Sequence, residues 1–153
     1  PRPKADPRES AKPDLRSRNL WMVKLDRDGT IVRTKVARKL PATDSPLKDV
    51  LETLLAGPSG EEKKKGIDSL IPENTRLLYV TVRGSTAYIS LSEDFQFNTY
   101  GIEGYAAQLR QIVWTACEFP TVKDVQILIE GKRIDYLGFE GIFIGSPLSK
   151  NDL

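Results

Sequence analysis

The stretch of this sequence whose residue types could best hold a ligand is LLAGPSGEEKKKG, residues 54–66. Glycines followed by lysine are typical of loops that bind phosphate through backbone N–H groups. Counted from Gly57, however, Glu62 and Lys64 occupy the positions that require glycine and a hydroxyl residue. A phosphate loop also follows a strand, whereas this segment follows a helical pattern. We therefore interpret Gly57 as a left-handed C-cap and Pro58 as a helix stop, followed by a charged, exposed turn.

Other side chains that could do chemistry do not form a recognisable site. Asp26–Thr30 is similar to the start of a calcium loop, but position twelve is Ala37, where calcium needs a bidentate glutamate. The chain has no histidine and one cysteine, Cys117, which we expect to be a buried structural thiol. This composition lacks the commonest general base and excludes an internal disulfide. We predict no catalytic residue, metal ligand or cofactor. Two carboxylate pairs have no evident common pocket, Glu93 with Asp94 and Asp135 with Glu140.

Basic residues are the remaining candidates for a binding surface. The 153 residues carry 23 Lys and Arg against 21 Asp and Glu, a formal net charge of +2. This excess is too small for a dedicated nucleic-acid protein, so we do not expect nucleic acid as a partner. Charge runs are usually solvated faces, and a patch for an anionic partner is the alternative. The candidate interaction patch comprises Lys63, Lys64, Lys65, Arg33, Lys35, Arg38 and Lys39.

The elements that must position these residues follow from apolar periodicity. Asp28-Gly29 between β-branched runs predicts a first hairpin, and Arg83-Gly84-Ser85 predicts a second. Apolar residues spaced by three and four predict two helices. The first is capped by Ser45 and the second spans residues 101–119. Trp21 and Trp114 are interpreted as core residues, with a contact surface as the alternative. A final strand, residues 125–131, precedes a glycine-rich tail that we expect to wrap the domain.

The order ββ-α-ββ-α-β predicts an α+β fold, a mixed β-sheet with two helices packed on one face. Residues 1–19 are rich in proline and charge and hold little apolar surface, so we expect a disordered linker. The single domain is predicted to span residues 20–150. The sequence opens on Pro1, so we expect an upstream segment.

Beyond these patterns, an ordered series of architectural positions runs along the chain from Leu20 to Lys150. That series includes Leu54-Leu55, Gly57-Pro58, Gly66, Ile71-Pro72, Ala87, Leu91-Ser92, Phe95, Thr115, Phe119-Pro120, Val125 and Gly131-Lys132. Through this series the chain resembles the GerMN domain family.

This resemblance implies a ring-building-motif-like fold and a non-enzymatic, exported protein, often anchored to a membrane by lipid or helix. We therefore expect an extracytoplasmic interaction or scaffold module of a sporulation-like cell-envelope assembly. Its expected partners are other envelope proteins or further copies of itself, with membrane attachment through a segment outside this chain. The alternative is a binding module for an anionic polymer, either a cell-wall glycan or a nucleic acid, held by the Lys63–Lys65 region.

Overall fold

The computed structural model describes residues 14–98, 100–138 and 141–153. Its secondary structure includes two 3₁₀ turns, Glu93–Gln96 and Lys150–Asp152. The remaining elements, in chain order, are β1 (Leu15–Leu25), β2 (Ile31–Pro41), α1 (Pro46–Ala56), α2 (Gly60–Lys64), β3 (Ile67–Asp68), β4 (Leu77–Arg83), β5 (Thr86–Leu91), α3 (Gly101–Ala116), β6 (Asp124–Ile129), β7 (Tyr136–Leu137) and β8 (Ile142–Phe143).

β1 and β2 form the predicted first hairpin around Gly29, whose φ is 84°. Their pairing extends to Leu15 opposite Pro41, so the domain begins before the predicted boundary at Leu20. Residues 15–19 therefore belong to β1 and not to a linker. Their composition is polar, but the ladder with β2 satisfies their backbone without requiring apolar side chains. Residues 1–13 of the predicted linker lie outside the described residues.

The segment 54–66 contains the end of α1 and the whole of α2. α1 has proline at its start, as predicted, but the Ser45 side chain makes no capping hydrogen bond. Gly57 has φ 85° and ψ −175°, an extended region open to glycine and not the left-handed helical conformation that we predicted. Ser59 then begins α2 in a capping box with Glu62. The predicted exposed turn is therefore a short helix, because Ser59 and Glu62 satisfy its first N–H groups.

β4 and β5 form the predicted second hairpin, and β6 pairs with β5 in parallel after α3. The crossover helix carries the predicted apolar stripe, with Leu109, Ile112, Val113 and Ala116 fully buried. Tyr105 is half-buried, and its hydroxyl donates to the Gln96 carbonyl at 2.8 Å. The α+β class and the mixed sheet are therefore confirmed.

The strands divide between two main sheets instead of forming one. One sheet has the order β2-β1-β3 and is antiparallel, and the mixed sheet has the order β4-β5-β6. β1 pairs with β3 over only two residues, and the Trp21 N–H donates to the Thr115 hydroxyl at 2.9 Å. Because a helix side chain takes this backbone group, α3 lies where a further strand would extend the sheet. Both α1 and α3 contact strands of both sheets.

The C-terminal tail packs along the mixed sheet, as predicted. Val125 and Leu148 exchange backbone hydrogen bonds of 2.9 and 2.8 Å, which places the tail beside β6. The buried Gln126 side chain also donates to the Ile144 carbonyl at 2.9 Å. These contacts close the outer edge of β6.

Candidate functional site

The residues of the predicted basic patch differ in their surroundings in the structure. Arg33 and Lys35 lie on β2 beside the tryptophans. Arg38 lies further along β2 and reaches α2. The exposed lysines Lys39, Lys63, Lys64 and Lys65 form no ion pair within the part of the chain that the structure describes. A binding role for these residues stays a prediction.

Arg38 joins the end of β2 to the start of α2. Its Nε and Nη2 donate to the two carboxylate oxygens of Glu62 at 2.8 and 2.6 Å, and Nη2 also donates to the Gly57 carbonyl at 3.2 Å. The side chains of Arg38 and Glu62 are 23% and 13% exposed. The hydrogen bonds from Arg38 hold the pKa of Glu62 at about 2. Arg38 is therefore held in an intramolecular ion pair with Glu62, so the predicted patch has one cation fewer to offer an anionic partner.

The ion pair makes stability depend on pH. Because the pKa of Glu62 is lowered from 4.5 to about 2 on folding, its contribution is complete above pH 4.5 and is lost as the pH falls towards 2. We expect Glu62→Gln to lower the free energy of unfolding by about 2 kcal/mol at pH 6 and the two proteins to converge near pH 2. Urea denaturation across this range measures the difference. Glu61→Gln, at an exposed neighbouring position, should follow the wild type at every pH. A difference in free energy of unfolding between wild type and Glu62→Gln that stays constant from pH 6 to pH 2 would contradict a role for the Glu62 charge.

Trp21 and Trp114 form an aromatic pair whose outer surface is covered by cations. Their ring centroids are 4.9 Å apart at an interplanar angle of 78°. The Arg33 guanidinium lies 4.2 Å and the Lys150 ammonium 4.6 Å from the Trp114 centroid, and Lys35 lies 5.7 Å from Trp21. These distances allow cation–π attraction. We call these five residues the tryptophan cluster.

The tryptophan cluster revises the interpretation of both indoles as core residues. Trp114 packs against the core, but both side chains are half-buried. Their Nε1 atoms are buried and donate to no acceptor among residues 14–98, 100–138 and 141–153. The pair therefore lies at the border between the core and a basic surface.

Next to the tryptophan cluster is a cavity of about 510 Å³ between the β1–β2 turn and α3, which we call the hairpin cavity. Asp28, Glu103 and Arg110 supply its charged side chains. Arg110 is half-buried, and its Nε is buried with no acceptor in the described chain. Burial, followed by the charge of Arg33, lowers the pKa of Arg110. Asp28 accepts the Thr30 N–H at 3.0 Å, and this bond lowers the pKa of its carboxyl.

The outer edge of β4 is a second candidate for binding. β4 stands at the end of the mixed sheet, and no described strand pairs with its outer side. Its side chains Leu78, Tyr79 and Val82 are 40%, 44% and 41% exposed. An edge strand presents unpaired backbone groups to any extended chain that approaches it.

The structure describes three of the four paired carboxylates and the cysteine that were considered for chemistry. Glu93 and Asp94 lie in a 3₁₀ turn, where the Ser92 hydroxyl donates to Asp94 at 3.2 Å. Asp135 is exposed, and Glu140 lies outside the described residues. Cys117 is half-buried, and burial raises the pKa of its thiol. A raised pKa disfavours the nucleophilic thiolate, in agreement with a structural thiol.

Three charged residues at the candidate sites were not singled out from sequence, Glu103, Arg110 and Lys150. Arg110 follows Glu103 by two helical turns, so both belong to one face of α3. This spacing could have indicated a mixed-charge face directed at the first hairpin. Lys150 lies near the end of the glycine-rich tail, and no local sequence pattern predicts its place beside Trp114.

Known proteins share this fold and much of this sequence pattern. The family model described as "Germane: Sporulation and spore germination" matches residues 21–135. Spore germination protein GerM of Bacillus subtilis (strain 168) is 26% identical over 149 residues, which cover 94% of this chain and 39% of GerM. The chain thus spans about two fifths of that relative.

Two solved structures of GerM from Bacillus subtilis are similar to the whole domain. The first GerMN domain has a TM-score of 0.70 at 24% identity, over 90% of this chain and 99% of that one. The tandem GerMN domains give a TM-score of 0.73 at 17% identity, over 92% of this chain and 48% of that one. These similarities confirm the predicted fold. Together with the family match over most of the sequence, they show that this chain belongs to the Germane family of sporulation and spore germination.

Proposed function

We propose that the chain is a non-catalytic interaction module of an extracytoplasmic cell-envelope assembly. In this proposal it binds partner proteins by adding an extended segment of the partner to the outer edge of β4. The observation that carries the proposal is the combination of an open strand edge and exposed apolar side chains at Leu78, Tyr79 and Val82. Main-chain hydrogen bonds would supply affinity and these side chains would supply selectivity.

Two other outer strands, β2 and β6, are guarded in ways that β4 is not. β2, the outer strand of the antiparallel sheet, carries Arg33, Lys35, Arg38 and Lys39, and charged side chains discourage edge-to-edge pairing. The edge of β6 is covered by the tail through Leu148. β4 carries one charged residue, Arg83, at its end. A register irregularity between Leu77 and Tyr79 leaves the residues from Tyr79 onward regularly paired with β5.

The proposed compartment follows from the family resemblance. Among the described residues, no helix combines the length and hydropathy needed to cross a membrane. Membrane attachment through a segment outside this chain is a separate part of the proposal and rests on the family resemblance. The partners are other envelope proteins, and self-association through the same edge is the second form of assembly.

Photo-crosslinking in cells tests the proposed role of β4. A photoreactive phenylalanine analogue at Tyr79 of the full-length protein is expected to give an adduct with an extracytoplasmic protein or a second copy. Val82→Lys places a charge on the edge and should abolish this adduct while the domain stays folded. The analogue at Glu61, exposed on α2, is the matched control and should give no such adduct. Adducts with cytoplasmic proteins alone, or an adduct unaffected by Val82→Lys, would overturn the proposal.

A further inference from the structure

The hairpin cavity contains a cationic side chain without an anionic partner. Neither Arg110 nor Arg33 forms an ion pair with a carboxylate in the described part of the chain. They nevertheless lie close enough for the Arg33 charge to disfavour the charged form of Arg110. The contrast is Arg38, which is also half-buried but has both of its donating nitrogens on Glu62. The Arg110 guanidinium lines the cavity without a carboxylate partner among the described residues, so an anion that enters the cavity can pair with it.

The aromatic pair fixes the position of this second cation. Arg33 lies against the ring of Trp114. Trp114 follows Arg110 by one helical turn on α3. Val23, the strand neighbour of Arg33, packs with Ala107 of the same helix. Arg110 supplies the basic end of the cavity, and its helix packs against β1 through this contact of Ala107 with Val23.

The opposite charge also faces the hairpin cavity. Asp28 and Glu103 line it together with Arg110, and neither carboxylate is in an ion pair among the described residues. Two carboxylates at one site repel a polyanion such as a nucleic acid or a phosphate chain. They favour a ligand that carries a positive group as well as a negative one.

We propose that the hairpin cavity binds a zwitterionic ligand, an amino acid or short peptide, whose carboxylate pairs with Arg110 and whose ammonium group lies between Asp28 and Glu103. The volume of about 510 Å³ lies within the range of small-molecule sites. Thr30, which caps Asp28 through its backbone N–H, holds the acidic end of the site in place. This site is separate from β4 and does not depend on the proposed partner interaction.

Titration with glycylglycine, followed by ¹⁵N NMR of the chain, tests the proposal. The Nε–H signal of Arg110 and the backbone amides of residues 28–31 are expected to shift together and to saturate. C-amidated glycylglycine lacks the carboxylate, and N-acetylated glycylglycine lacks the ammonium group. Each should bind about tenfold more weakly, the loss that accompanies removal of one charge-assisted contact.

Variants locate the ligand in the cavity. Arg110→Gln and Glu103→Gln should each weaken glycylglycine binding about tenfold. Glu103 is exposed, so Glu103→Gln keeps the test valid if Arg110→Gln does not fold. Arg83→Gln is the matched control, because Arg83 also lies over an aromatic ring, that of Tyr88, and is not among the cavity's lining residues. Absence of saturable shifts, equal shifts with inorganic phosphate, or equal binding by Glu103→Gln would overturn the proposal.

Discussion

Replacement of Gly138 by alanine is expected to lower the free energy of unfolding by at least about 3 kcal/mol. Gly138 has φ +83°, which costs a residue with a Cβ about 1–2 kcal/mol. The added Cβ would also overlap with the ring of Tyr105 at Cε2. The ring cannot move away without cost, because its hydroxyl donates to the Gln96 carbonyl at 2.8 Å. Equilibrium unfolding in urea measures the loss.

Gly29 provides the matched control for the contact. Its φ of +84° is almost the same, but a Cβ at Gly29 would meet no atom within 4 Å. Gly29→Ala should therefore show only the conformational cost of about 1–2 kcal/mol. In a Tyr105→Leu background, the loss in free energy of unfolding caused by Gly138→Ala should fall to a similar value, because the clashing ring is absent. Equal losses for Gly138→Ala with and without Tyr105 would contradict this account.

The local elements of the fold could be predicted from sequence because their causes are local. Asp28-Gly29 closes a hairpin through a positive φ at glycine, and Gly84 does the same in the second hairpin. The spacing of Leu109, Ile112, Val113 and Ala116 determined which face of α3 is buried. These features depend on neighbours within a few residues, which a single sequence displays directly.

The arrangement of the sheets depends on contacts that the sequence does not display. The hydrogen bond from the Trp21 N–H to the Thr115 hydroxyl joins residues 94 positions apart. It puts α3 beside β1, and the strands divide into two sheets. The mostly polar segment 15–19 likewise joins β1 through backbone pairing with β2, which amino-acid composition alone does not predict.

The candidate sites were predictable only in part. Arg33 and Lys35 were identified as surface cations. The contact of Arg33 with Trp114 comes from the packing of β2 against α3, and that of Lys35 with Trp21 from their pairing across the first hairpin. Arg38 belongs to the predicted patch, but it pairs with Glu62 on a helix where the sequence predicts an exposed turn. Charge alone therefore identified candidate residues, while the tertiary fold decided which cations remain available.

Gln111 illustrates a structural role that polarity alone does not suggest. It lies on α3 among apolar residues and is 1% exposed. Its Oε1 accepts the Leu70 N–H at 2.9 Å, and its Nε2 donates to the Ser69 hydroxyl at 3.0 Å. The side chain thereby satisfies the backbone where the chain leaves β3 and enters the core.

Replacement of Gln111 by methionine is expected to lower the free energy of unfolding by about 2–3 kcal/mol, because the buried Leu70 N–H loses its acceptor. Methionine keeps the length and volume of the side chain, so the loss of hydrogen bonds is separated from that of packing. Native-state hydrogen exchange supplies a local readout, and the Leu70 amide should exchange faster relative to the amides of β5. Gln96→Met is the control, since the Gln96 side chain makes no hydrogen bond among the described residues and should change stability by less than about 0.5 kcal/mol. Unchanged exchange at Leu70 in Gln111→Met would show that the glutamine amide does not hold this segment, and the stability loss would then have to arise from packing alone.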